Sequence, residues 1–252
     1  MYRLLNPVLE SDPGAAWLTV GDGRFGLDAR FILEHGGDAV ASDISEVLLK
    51  EGVRKGLIPS YRVENAEAMT AADDQFDYVF CKEAYHHFPR PGIALYEMLR
   101  VARKAVVFIE PADEFIYDSC LSRIAHFVGR LRGRTLEKYP FEESGNFVYS
   151  ISRREIEKVA LGLNLPLVAF KGINDAYFEG VEDEALSENG PLQAKVKRQI
   201  TAADRRCRLG WRQYKLLCAA IFLCPPEGDM RQRLTRDGFS VIDIPPNPYL
   251  GG

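Results

Sequence analysis

The stretch that decides the fold is Trp17–Gly26, which reads WLTVGDGRFG. A short apolar run at residues 18–20 ends in three glycines, Gly21, Gly23 and Gly26, and an amphipathic segment over 27–35 follows at once. A buried strand, a glycine turn and a helix in this order place backbone N–H groups at the carboxyl edge of a parallel sheet, where nucleotides bind. A glycine-rich turn alone is weak support, so the prediction depends on the rest of the chain.

Size and composition describe a soluble globular protein. The 252 residues are enough for one large domain or a domain with insertions, and 46% are hydrophobic and 27% charged. A formal net charge of -4 gives no broad basic field, so nucleic acid is not an expected partner. The apolar run Leu216–Cys224 is too short to span a bilayer, so a membrane is not expected either.

The cysteines and the N-terminus point to the cytoplasm. The five cysteines are an odd number without paired spacing, which is typical of reduced thiols, and no Cys or His cluster has the spacing of metal ligands. The N-terminus lacks a signal-peptide pattern. We therefore expect a cytoplasmic protein without a bound metal.

Strand-like and helix-like segments alternate along most of the chain. Seven strands are predicted, at 18–20, Asp38–Asp43, Tyr61–Asn65, Phe76–Cys81, Lys104–Glu110, Leu165–Lys171 and Tyr214–Cys224. The alternation predicts an α/β fold with a doubly wound, mostly parallel, seven-stranded Rossmann-like sheet.

Two stretches interrupt this rhythm. Residues 112–149 and 175–210 are candidate helical lid insertions within a domain predicted to span 1–225, and a C-terminal tail covers 226–252. The first insertion contains four arginines, Arg123, Arg130, Arg132 and Arg134. They either form a solvated helix face or line the entrance for an anionic group of the acceptor.

The class of nucleotide is open at this point. Asp43 ends the second predicted strand, twenty residues after Gly23, where a carboxylate can accept hydrogen bonds from a ribose diol. This fits NAD and S-adenosylmethionine (SAM) equally. The spacing Gly21-x-Gly23-x-x-Gly26 even matches the dinucleotide pattern.

An ordered set of further motifs resembles the class I SAM-dependent methyltransferases, in particular the small-molecule type similar to methyltransferase domain 11. The resemblance covers roughly residues 16–111. Its motifs are Val20–Gly26, Ser42–Ser45 at the end of strand two, Asn65–Met69 (NAEAM), Phe76–Pro91 (FDYVFCKEAYHHFPRP) and the helix-then-strand stretch from Glu97. The family more often has an acid where Thr19 stands and Asp where Asn65 stands.

The resemblance implies a set of SAM-binding residues. Gly21, Asp22 and Gly23 would form the loop under the cofactor, Asp43 would hold its ribose hydroxyls, and Ile44 next to Asp43 would also belong to the cofactor site. Asn65, Ala66 and Glu67 would lie beside the adenine, and the Cys81 region would meet the methionine end.

Methyl transfer to a hydroxyl also needs a group that removes a proton. His86 and His87 follow the fourth strand and Glu110 ends the fifth, so all three are candidate catalytic residues at one sheet edge. Structural roles, in packing the turn or in a salt bridge, are the alternative for each.

These observations favour an O-directed methyltransferase with a small-molecule or sugar-containing acceptor, and a homodimer is compatible with the chain. An NAD-dependent Rossmann oxidoreductase and a non-catalytic SAM-binding protein remain alternatives, the second because of Thr19 and Asn65.

Overall fold

The computed structural model describes residues 1–113, 120–133, 141, 145, 147–181, 184 and 190–249. Within them one mixed sheet contains eight strands in the order β3-β2-β1-β4-β5-β7-β6-β8. The strands are β1 Ala16–Val20, β2 Asp38–Asp43, β3 Tyr61–Val63, β4 Phe76–Lys82, β5 Ala102–Pro111, β6 Leu167–Ile173, β7 Leu216–Phe222 and β8 Ser240–Asp243. The five strands β1 to β5 are parallel to one another, whereas β7 is antiparallel to both β5 and β6.

The eighth strand corrects the prediction of seven. Strand β8 lies in the C-terminal tail and pairs antiparallel with β6, with Val168 opposite Ile242. The strand in the C-terminal tail therefore extends the sheet, and Phe239 beside it is buried.

Helices cover both faces of the sheet. They are α1 Asn6–Ser11, α2 Leu27–Glu34, α3 Glu46–Arg54, α4 Pro91–Val101, α5 Cys120–Leu131, α6 Arg153–Gly162, α7 Pro191–Arg208 and α8 Met230–Arg236. Because side chains alternate along a strand, Tyr78 and Phe80 of β4 pack in a cluster that includes residues of α1, α2, α3 and α8. Val79 and Cys81 pack on the other face, in a cluster that includes residues of α4 and α6.

The start of α6 shows how local sequence sets a boundary. Oγ of Ser152 accepts a hydrogen bond from the backbone N–H of Glu155 at 3.2 Å, as a capping box predicts. The carboxylate of Glu155 instead accepts from the hydroxyl of Tyr149 at 2.8 Å. This contact ties the end of the first insertion to the helix.

Parts of both predicted insertions lie outside the described residues, namely 114–119, 134–140, 142–144, 146, 182–183 and 185–189. Where they are described, the insertions carry α5 and α7. Among the described helices, we find none with the length and apolar content that crossing a membrane requires.

Candidate functional site

A cavity of about 880 Å³ opens at the carboxyl ends of β1, β2 and β4. Most of the predicted cofactor residues line it: Gly21, Asp22, Gly23, Asp43, Ile44, Asn65, Ala66 and Glu67. The predicted catalytic residues His86 and His87 line it as well. The topology thus brings together residues that are far apart in the chain.

The glycine loop leaves room only for backbone at two positions. Gly21 has φ of +74°, and a Cβ there would overlap the side chain of Ala84. A Cβ on Gly23 would lie 2.8 Å from Oδ2 of Asp43. The backbone of the loop therefore lies directly against the Asp43 carboxylate, and a side chain at 23 would occupy that space.

Asp43 is positioned by the end of β2. Its Oδ1 accepts a hydrogen bond from the backbone N–H of Ser45 at 2.8 Å, which fixes the carboxylate at the cavity wall. The next side chain, Ile44, is 74% exposed and lines the same cavity. A carboxylate beside an uncovered apolar surface suits a ribose joined to a flat base.

Asp22 has a different environment from Asp43. Its carboxylate is buried and accepts hydrogen bonds from the backbone N–H groups of Asp28 at 3.1 Å and Ala29 at 2.9 Å, in the first turn of α2. Oγ1 of Thr19 donates to it at 2.9 Å. Thr19, where the family more often has an acid, therefore anchors the glycine loop through Asp22.

Burial, together with the nearby charge of Asp28, raises the pKa of Asp22 to about 7. Three hydrogen bonds to the carboxylate oppose this rise. The group is thus engaged in holding the loop against α2, although the residue lines the cavity.

The Asn65–Glu67 turn joins two walls of the cavity. Oδ1 of Asn65 accepts a hydrogen bond from the backbone N–H of Glu67 at 3.0 Å. The carboxylate of Glu67 accepts from the backbone N–H of Arg90 at 2.6 Å and from its Nε at 2.7 Å. Glu67 thereby clamps the turn after β3 to the loop that precedes α4.

Two of the catalytic candidates, His86 in the turn after β4 and Glu110 near the end of β5, are hydrogen-bonded to each other. Nδ1 of His86 lies 2.6 Å from Oε2 of Glu110. The other oxygen of Glu110 accepts hydrogen bonds from the backbone N–H groups of Ala84 and Tyr85, each at 3.0 Å. Because Glu110 is fully buried, it lies beneath His86 instead of on the cavity wall, and it can act on an acceptor only through the histidine.

Cys81 and His87 lie on opposite sides of this pair. Cys81 is fully buried, and its Sγ lies 3.9 Å from Oε1 of Glu110. Its side chain is therefore behind the cavity wall and not in the position for the direct cofactor contact that the sequence suggested. Burial, with the Glu110 charge, raises the pKa of the Cys81 thiol well above its usual value. His87 is exposed at the cavity, and its ring centroid lies 4.0 Å from that of His86.

Several lining residues were not among the sequence candidates. The hydroxyl of Tyr2 donates to Oδ1 of Asp28 at 2.6 Å, and Nζ of Lys82 lies 3.2 Å from the same oxygen. All three residues line the cavity. Lys82 directly follows the predicted fourth strand, which is a usable signal, but no local pattern relates Tyr2 to a residue 26 positions later.

Part of the chain matches a known protein family. Residues 18–109 match the model of a family described as methyltransferase domain. This segment runs from β1 to β5 and contains most of the cavity residues. No match to the chain was found among curated proteins.

Solved structures share the fold. A SAM-dependent methyltransferase from Methanosarcina mazei is 12% identical, with a TM-score of 0.54 over 86% of this chain and 97% of that one. The YcgJ protein from Bacillus subtilis is 19% identical, with a TM-score of 0.52 over 90% and 98% of the two chains. A 1,6-didemethyltoxoflavin N1-methyltransferase from Burkholderia thailandensis, solved with bound 1,6-didemethyltoxoflavin and S-adenosylhomocysteine (SAH), is 11% identical, with a TM-score of 0.50 over 88% of this chain and 75% of that one.

Proposed function

We propose that this chain transfers a methyl group from SAM, bound in the cavity, to a hydroxyl of a small-molecule or sugar-containing acceptor. The match of residues 18–109 to the methyltransferase-domain model supports the proposal. The observation that carries the proposal is the position of His86, with Glu110 beneath it, in the same cavity as the glycine loop and Asp43. The residues proposed to bind the cofactor and the candidate proton acceptor thus line the same cavity.

The residues present fit SAM in shape and charge. The missing Cβ of Gly23 lets the Asp43 carboxylate lie directly against the loop, so a ribose held by Asp43 would lie beside the loop backbone. Asp43 supplies a carboxylate for two ribose hydroxyls, and Ile44 offers an apolar surface for adenine. Lys82 and Glu83 line the same cavity with opposite charges, which suits the zwitterionic methionine end.

SAM would supply the activated methyl group, so the chain's own residues need only orient the acceptor and receive its proton. Glu110 holds the His86 ring at Nδ1. A proton from an acceptor hydroxyl would therefore be taken up at Nε2, and the carboxylate stabilises the positive ring that results. Glu110 is the positioning residue in this scheme and His86 the general base.

The topology favours SAM over a dinucleotide. A dinucleotide-binding sheet follows the order 3-2-1-4-5-6. In this chain an antiparallel β7 stands between β5 and β6. The NAD alternative is retained as an outcome of the experiment below, as is a protein that binds SAM without turnover.

Calorimetric titration of the full chain with SAH and, separately, with NADH tests the cofactor. We expect heat with SAH only, and a loss of affinity of roughly tenfold or more in Asp43→Ala. Asp38→Ala is the matched control, because Asp38 is exposed at the opposite end of the same strand. Heat with NADH alone would overturn the proposal in favour of an oxidoreductase.

Turnover separates an enzyme from a binding protein. Release of SAH from SAM is measured with a panel of phenolic and sugar hydroxyl acceptors. We expect formation of a methyl ether with at least one of them. Tight SAH binding without methylation of any acceptor in the panel would instead favour the non-catalytic alternative.

A further inference from the structure

Helix α5 exposes an apolar face. Five large apolar side chains of this helix are exposed: Leu121, Ile124, Phe127, Val128 and Leu131. Phe127 is 64% exposed and Leu131 is 72% exposed. At 100° per residue, the five fall within an arc of about 120° on one side of the helix.

Arginines flank this arc on both sides. Arg132 follows one border of the arc, and Arg123 and Arg130 lie beyond the other, by the same helical spacing. All three are exposed, and residues 120–133 contain no acidic side chain. An apolar arc bordered by arginines is the arrangement of helices that lie in a lipid interface, because the apolar groups insert while the guanidinium groups reach anionic headgroups.

A second group of exposed apolar residues lies just before β7, at the same edge of the sheet. Leu209 and Trp211, which precede β7, are 64% and 61% exposed, and the neighbouring Arg208 and Arg212 are exposed as well. The backbone N–H of Ala112, which precedes the α5 segment, donates to the carbonyl of Lys215 at 2.8 Å. The segment that leads to α5 therefore starts, and the segment that carries Leu209 and Trp211 ends, at neighbouring positions at the carboxyl end of β5.

We propose that α5 docks on an anionic lipid surface, with its apolar arc in the headgroup region and Arg123, Arg130 and Arg132 on lipid phosphates. This is surface binding by an interfacial helix, and it needs no helix that crosses the bilayer. The proposal does not depend on methyl transfer.

The charges favour lipid over a second copy of the chain. In a two-fold dimer through this face, the two α5 helices would bring their arginine borders towards each other with no carboxylate of either helix between them. An anionic bilayer presents opposite charge along both borders of the arc. A dimer is kept as an outcome of the test.

Co-sedimentation of the full chain with vesicles tests the proposal. One vesicle set is phosphatidylcholine alone, and the other contains about one third phosphatidylglycerol. We expect the chain to sediment with the anionic vesicles and to remain in solution with the neutral ones. High salt should release much of the bound protein.

Two variants locate the contact. Phe127→Glu with Leu131→Glu places charges in the arc and should lower the vesicle-bound fraction at least fivefold. Replacement of Arg123, Arg130 and Arg132 by Gln should weaken binding to anionic vesicles. The control pair, Ile93→Glu with Tyr96→Glu, changes exposed apolar residues of α4 and should bind like wild type.

Thermal melting establishes that each variant is folded, and light scattering gives its mass. Three results would overturn the proposal: no sedimentation of wild type with anionic vesicles, equal sedimentation of the Phe127/Leu131 variant, or a wild-type dimer that this variant dissociates without any vesicle binding.

Discussion

Nδ1 of His86 and Oε2 of Glu110 lie 2.6 Å apart, although the residues are 24 positions apart in the chain. Strand β5 ends beside β4, so the carboxylate comes to lie under the turn that contains His86. The same carboxylate also accepts hydrogen bonds from the backbone N–H groups of Ala84 and Tyr85. One buried charge therefore positions both the turn and the imidazole ring.

Substitution of His86 should affect chemistry more than binding. We expect His86→Ala to lower kcat by about 10² to 10⁴, the usual contribution of a general base. Affinity for SAH should stay within about threefold of wild type, since the glycine loop and Asp43 are unchanged. Steady-state kinetics and calorimetry measure the two quantities. His87→Ala is the control and should reduce kcat less, and a His86→Ala enzyme with wild-type kcat would exclude this residue as the base.

Glu110→Gln tests the positioning role. The amide keeps one oxygen acceptor but cannot balance a positive imidazole, so we expect kcat to fall while the KM for SAM is kept. Its NH₂ group would also face buried donors. We expect a loss of about 1–3 kcal/mol in the free energy of unfolding, measured by urea denaturation. Wild-type kcat in this variant would show that the carboxylate charge does not assist His86.

Gly23→Ala should displace Asp43. The new Cβ would lie 2.8 Å from Oδ2 of that carboxylate, so either the side chain or the loop must move. We expect a loss of SAH affinity comparable to that of Asp43→Ala. Gly92→Ala is a matched control because a Cβ there meets no atom within 4 Å in the described part of the chain. Unchanged SAH affinity in Gly23→Ala would mean that Asp43 does not contact the ligand.

The raised pKa of Asp22 predicts that the free energy of unfolding depends on pH. Its pKa is raised from 3.8 to about 7, so between these values the folded state keeps a proton that the unfolded chain has lost. This group's contribution to the free energy of unfolding therefore falls as pH rises from 4 to 7, by at most about 4 kcal/mol. Urea denaturation at pH 5 and pH 8 measures it.

The control for Asp22 is Asp22→Asn, which has no titrating group but retains an oxygen for the N–H of Ala29. The difference in stability between the two pH values should be smaller in this variant than in wild type. An equal difference in the two proteins would show that Asp22 does not titrate in this range.

The sequence was sufficient to predict the order of the first seven strands and the sheet edge at which the candidate site lies. The reason is physical: buried parallel strands are continuous apolar runs, and Asp43, His86 and Glu110 each follow or end one of them. The resemblance to a known family was needed to choose between cofactors, because the glycine spacing fits both.

Local sequence patterns did not predict which side chains contact each other. The hydrogen bond between the Glu67 carboxylate and Arg90 was not predicted, and the side chain of Cys81, expected near the cofactor, faces Glu110 instead. Strand β8 was missed because its pairing with β6 spans some 70 residues, from Val168 to Ile242. Such contacts depend on tertiary structure, which a single sequence does not display.

We propose that SAM binds in the cavity with its ribose on Asp43 and, because His86 would take the acceptor's proton, with its sulfur directed to His86. A crystal structure of the full chain with SAH tests this most directly. We expect both ribose hydroxyls within hydrogen-bond distance of the Asp43 carboxylate and the sulfur on the His86 side of the glycine loop. SAH bound elsewhere, or a ribose that does not contact Asp43, would contradict it.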